Sequence, residues 1–97
     1  MSSSHRPQRL GEVLGALIER LGIEHKLDDA RIVDAWREIA GAPIDAVTGR
    51  VWVNKGILYV TVTSAPWRQE LFLHRNAWRR RLNDRLGTAL VQEIVFR

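Results

Sequence analysis

Arg68, Phe72, Arg75 and Arg79 recur at i, i+4, i+7 and i+11, so on one helix three guanidinium groups bracket one aromatic ring along a single stripe. Guanidinium forks grip phosphate or carboxylate oxygens two at a time, and an exposed ring stacks on an unpaired base for roughly 1–3 kcal/mol. The chemistry this pattern supports is recognition of a single-stranded nucleic acid, with Arg80 and Arg81 extending the positive field. Arginines beside an exposed aromatic ring are equally the usual hot spots of protein interfaces. A third arrangement satisfies the same spacing, in which Phe72 packs against a preceding helix and the arginines form a solvated face. Between Pro66 and Leu86 six arginines stand against Glu70 and Asp84, a surplus of four that equals the net charge of the whole chain, +4. Thirteen of the 15 basic residues are arginine, which suits an anionic partner and is also what GC-rich codon usage produces.

A neighbouring stripe of the same helix, Trp67, Leu71, His74, Trp78 and Leu82, reads as the face packed on a sheet, with His74 a hydrogen-bonded structural residue. Trp52 and Tyr59 lie opposite the valine rows of their strands, so Trp52 beside Arg50 is a second aromatic and arginine pair, unless the first two helices cover that side. Trp36 belongs to an apolar helix stripe and reads as core.

Catalytic signals are missing. His5, His25 and His74 are scattered over a tail, a connection and a helix. No carboxylate pair has metal-ligand spacing on one element, and no glycine-rich phosphate loop precedes a helix. No enzyme activity, metal, cofactor or small-molecule substrate is expected. The chain holds no cysteine, which excludes disulfides and thiolate sites and fits a reducing cytoplasm. No apolar run reaches the ~18 residues of a membrane span, so no membrane contact is expected.

The elements that must position these residues follow from periodicity. With 97 residues the chain makes one domain. Residues 1–8 read as a polar tail and residues 9–97 as a single unit. Leu10, Val13, Leu14, Leu17, Ile18 and Leu21 form one apolar helical stripe. A second helix, capped by Asp28 and ended by Gly41, turns Ile32, Val33, Trp36, Ile39 and Ala40 inward. From Ile44 the period becomes two. Val47, Gly49, Val51 and Val53 share one face, and Thr48, Arg50, Trp52 and Asn54 the other. Asn54-Lys55-Gly56 reverses the chain into a second strand, Leu58 to Thr63. A third helix from Pro66 to Gly87 crosses back to a last strand, Leu90 to Phe96, which handedness makes parallel to the second. The fold class is α+β, order ααββαβ, with a three-stranded mixed sheet packed against helices.

Trp36 with Ile39-Ala40-Gly41, then Thr48, Gly56-x-Leu58-x-Val60-x-Val62-x-Ser64, Trp67 with Glu70-Leu71, Asn83, Gly87 and Ile94-x-Phe96-Arg97 form an ordered set. Over about Leu10 to Arg97 this set resembles the DciA-like family of bacterial replicative-helicase loaders. The resemblance implies a KH-like fold, contact with the hexameric replicative helicase, and affinity for DNA. Two features depart from it. The Gly-x-x-Gly loop with which true KH domains clamp nucleic acid is absent, so any DNA contact uses other residues. Larger members also carry a basic or disordered extension, whereas this chain stops at Arg97, so loading is expected to be weakened or delegated.

The combined expectation is a non-catalytic accessory module of DNA replication that binds the replicative helicase and single-stranded DNA through Arg68, Phe72, Arg75, Arg79 and Arg80. A general RNA- or nucleic-acid-binding module, and a protein adaptor without nucleic-acid binding, remain the alternatives.

Overall fold

A computed structural model of the chain describes residues 12, 13 and 23–97. The expected tail and most of the expected first helix lie outside the described residues. Helix α1 spans Ile23–Asp45, and its regular course ends at Gly41, where φ 77° and ψ 175° break the ladder before a short turn through Pro43. Only glycine takes that conformation cheaply, so the expected stop at Gly41 holds. The start does not: Asp28 lies inside the helix, paired with Arg31 one turn on, rather than capping it. Ile44 likewise belongs to the helical turn and is buried, so the first strand begins four residues later than its valine alternation suggests.

Strands β1 (Thr48–Asn54) and β2 (Ile57–Val62) form an antiparallel hairpin. Asn54 pairs with Ile57, which leaves a two-residue loop, Lys55-Gly56, with φ of 51° and 79°. Positive φ at both loop positions matches the right-handed twist of the strands and pins the register. At the far end Thr48 pairs with Val62 and Val51 with Val60, so Gly49 and Arg50 together face Thr61. This bulge moves Thr48 to the side of the buried Val62 and leaves Arg50 with Trp52, correcting the strict alternation expected from the sequence.

Ser64 caps the next helix, α2 (Ala65–Leu73), with Pro66 in its first turn, where no amide partner is lost. The single helix expected from Pro66 to Gly87 is in fact two. His74, at φ −106° and ψ 20°, separates α2 from α3 (Arg75–Leu86), and neither glycine nor proline marks the break. Arg75 Nη1 donates to Phe72 O at 3.0 Å, linking the two helices across the bend. Gly87 closes α3 in the left-handed conformation, and the last strand, β3 (Glu93–Phe96), pairs parallel to β2. Leu90 and Val91 precede that strand. Val91 is held by Asn83, whose Nδ2 donates to Val91 O at 2.9 Å while Val91 N donates to Asn83 Oδ1 at 3.0 Å.

The sheet order is β1-β2-β3, mixed as expected. One face is buried: Leu58, Val60, Val62, Ile94 and Phe96 meet Ile32, Ala35 and Trp36 of α1 and Leu71, Leu82 and Leu86 of the later helices. Trp36 is fully buried, edge-on to Trp78 at 5.3 Å and tilted against Phe96 at 5.7 Å. Among the described residues no helix is long and apolar enough to cross a membrane.

Candidate nucleic-acid and partner interface

On α2 and α3 the expected stripe survives the bend, with its members in different states. Phe72 is 47 % exposed, and the Arg75 guanidinium lies over its ring at 4.2 Å from the centroid. This contact is the one direct association the structure makes among the five expected site residues. Arg68 turns back to the sheet, its Nη1 donating to Val62 O at 3.1 Å, and is half-buried. Arg80 Nε reaches Asn76 O at 3.4 Å. Arg79 is half-buried and, among the described residues, its side chain makes no ion pair or hydrogen bond. Arg75, Arg79 and Arg80 therefore supply positive charge beside a half-open ring, while Arg68 is committed to the end of β2.

The neighbouring stripe is the core-packing face the sequence suggested only at Leu71, Trp78 and Leu82. Leu71 and Leu82 are buried, but Trp67 is 36 % exposed and His74 is exposed. Because α2 and α3 diverge at His74, Trp67, Glu70, His74, Ala77, Trp78 and Arg81 line an open groove of about 300 Å³ over Leu71. Across it His74 Nε2 lies 3.1 Å from Glu70 Oε1, and Arg81 covers Trp78 at 4.5 Å. Leu73, also on the bend, is 60 % exposed.

The sheet face opposite the core carries a second constellation. Trp52 and Tyr59 are cross-strand partners whose rings stack at 5.1 Å with an interplanar angle of 7°. Arg50 lies 4.7 Å from the Trp52 centroid. Arg97 lies 4.9 Å from that of Tyr59 and 5.9 Å from that of Trp52. Of the two helices expected to cover this side, α1 does not, since Trp36 meets Phe96 on the buried face, and the other lies outside the described residues. Sequence reasoning had the Arg50 and Trp52 pair but missed the stack and Arg97. The stack was legible, because a two-residue loop at Lys55-Gly56 sets Trp52 opposite Tyr59 by counting. Arg97 was not, because its place depends on the pairing of β3.

These features define a two-layer α+β module: a mixed sheet with helices on one side, arginine-rich helix surfaces, and rings on the sheet's other side. The chain matches the family model described as Dna[CI] antecedent, DciA, over residues 9–96, and it belongs to that family. Membership assigns it in general terms to DNA replication, at the loading of the helicase. No curated protein and no solved structure gives a match.

Proposed function

We infer that this chain is a non-catalytic, cofactor-free accessory module of the cytoplasmic replication machinery, with a KH-like fold, that binds the replicative helicase and single-stranded DNA. The observation that carries the reading is the half-exposed Phe72 under Arg75, on the helix face of a chain whose family acts at helicase loading. Exposed aromatics and arginines concentrate binding energy when a partner pocket desolvates them. Phe72, Arg75, Arg79 and Arg80 form the helicase-facing surface, and Arg68 fixes α2 to the sheet beneath it. Leu73, exposed on the same bend, adds apolar area to this contact.

The test is retention of purified replicative helicase on the immobilised chain, with nuclease present to remove bridging DNA. Wild-type chain retains the helicase, and the double change Arg75→Glu with Arg79→Glu releases it. Retention that disappears with nuclease would place DNA between the two proteins and remove the direct contact.

A further inference from the structure

We propose that the sheet face opposite the core, where Arg50 and Arg97 are exposed and Trp52 and Tyr59 half-buried, is a stacking site for single-stranded nucleic acid, separate from the α2–α3 surface. This rests on the proposed affinity for single strands and gives that affinity a location. Three observations carry it. First, the rings are nearly parallel, at 7°, and stand on two paired strands, so their orientation is set by the hairpin register and costs little to hold on binding. The two rings cover each other's inner faces, so a base stacks on an outer face of the pair, where Arg50 and Arg97 now lie, and because every base has a π-face it does so whatever the sequence.

Second, the charges sit where a backbone would run. Arg50 stands two residues before Trp52 on the ring side of β1, and the Gly49 and Arg50 bulge moves Thr48 to the other face. Arg97 is anchored on the other flank by ladder bonds, its N donating to Val60 O at 2.9 Å and its O accepting from Val62 N at 2.7 Å. Third, neither guanidinium is neutralised: among the described residues no carboxylate pairs with Arg50 or Arg97, and each rests on a ring instead. Glu93, on the same face, stands at its other end beside Ile57. A guanidinium lying on a ring keeps the ring's place for a base. When a base takes the ring, the guanidinium swings to the adjoining phosphate, where it forms a charge-assisted bond.

An acidic peptide would satisfy the arginines but leave the outer faces of the ring pair without a matching partner. A duplex would satisfy the arginines but offer the rings no unpaired base. The chemistry therefore selects unpaired bases on a phosphodiester backbone, shared by DNA and RNA.

The experiment uses the whole chain and fluorescence anisotropy of labelled oligothymidylate and oligouridylate of about 15 nucleotides, a length within the usual span of one stacking surface. Wild-type chain binds at least one of the two, and binds a duplex of equal length at least tenfold more weakly. Trp52→Ala weakens single-strand binding roughly tenfold, while Trp52→Phe and Tyr59→Phe, which keep a ring, retain it. Arg50→Gln with Arg97→Gln, both exposed, lowers the slope of log K against log salt by about 1.4, from about 0.7 per phosphate contact. That second measurement stands even if Trp52→Ala fails to fold.

Wild-type binding that every one of these variants leaves intact overturns the sheet-face site while sparing the proposed affinity for single strands. Absence of binding to either oligonucleotide overturns both. Equal binding of duplex refutes the stacking mechanism. Variants that lose the helicase while keeping the oligonucleotide make the face a protein interface and overturn the proposal.

Discussion

Phe72→Ala separates a ring that serves a partner from a ring that serves the core, and its cost follows from the geometry. Full burial of a phenylalanine side chain contributes about 1.5–3 kcal/mol, and Phe72 is 47 % exposed, so its packing contributes about 1 kcal/mol. The Arg75 guanidinium at 4.2 Å adds about 0.5–1 kcal/mol, as for other partly exposed cation–π pairs. The bond from Arg75 to Phe72 O survives the substitution, because the acceptor is backbone. The expected loss of stability is therefore about 1.5–2 kcal/mol, well short of the 3–5 kcal/mol typical of Phe or Trp to Ala in a core. Thermal unfolding followed by circular dichroism measures it. For a domain of this size each kcal/mol lowers Tm by about 4–8 °C, so Phe72→Ala should melt about 6–16 °C below wild type and remain folded at 25 °C. Trp36→Ala, which empties the fully buried site between Trp78 and Phe96, provides the internal standard and should melt much lower. On the same folded Phe72→Ala protein, helicase affinity should fall by about 2 kcal/mol or more, near 30-fold. A melt as low as that of Trp36→Ala would refute the reasoning by making Phe72 core. Helicase affinity unchanged in a folded Phe72→Ala protein would remove the ring from the interface.

Further predictions concern the supports of the site. Asn83→Ala removes both bonds to Val91 and strands the backbone of a buried residue, so it should cost about 1–3 kcal/mol; a wild-type melting curve would show that the turn before β3 holds itself. Gly87→Ala should cost about 1–2 kcal/mol from φ 79° alone, since no atom lies within 4 Å of an added Cβ; a neutral outcome in the same melting assay would mean that α3 can end otherwise. Arg79→Ala should leave Tm within the change expected of a surface substitution, about 0.5 kcal/mol, while weakening helicase retention; a large drop in Tm would reveal a structural role for its guanidinium.

Much of the architecture could be read from local pattern, because its causes are local. The Lys55-Gly56 reversal, the alternation of Leu58, Val60 and Val62, the stop at Gly41 and the cap at Gly87 depend on backbone preferences a few residues long. The parallel placement of β3 follows from the handedness of a crossover and needs only the order of elements. The Phe72 and Arg75 pair was visible as a spacing of three, and the contact forms although the helix breaks at His74 between them.

Tertiary packing decided the rest, because the competing local choices differ by less than what burial supplies. Nothing in Leu73-His74-Arg75 forbids a continuous helix. The chain bends there, α2 packing on the sheet while α3 packs also on α1, with Trp78 against Trp36. That bend turned Trp67 and His74 from an expected core stripe into the walls of a groove. The bulge at Gly49 and Arg50 arises likewise from fitting the first strand to its neighbour, with Thr48 Oγ1 donating to Ile44 O at 2.6 Å at the strand's start. Arg97 reaches the Trp52 and Tyr59 rings only because β3 pairs with β2. Residue types and short spacings identified which side chains could bind an anion or a base, but long-range pairing chose which of them stand together, since their proximity is fixed by the burial of other residues.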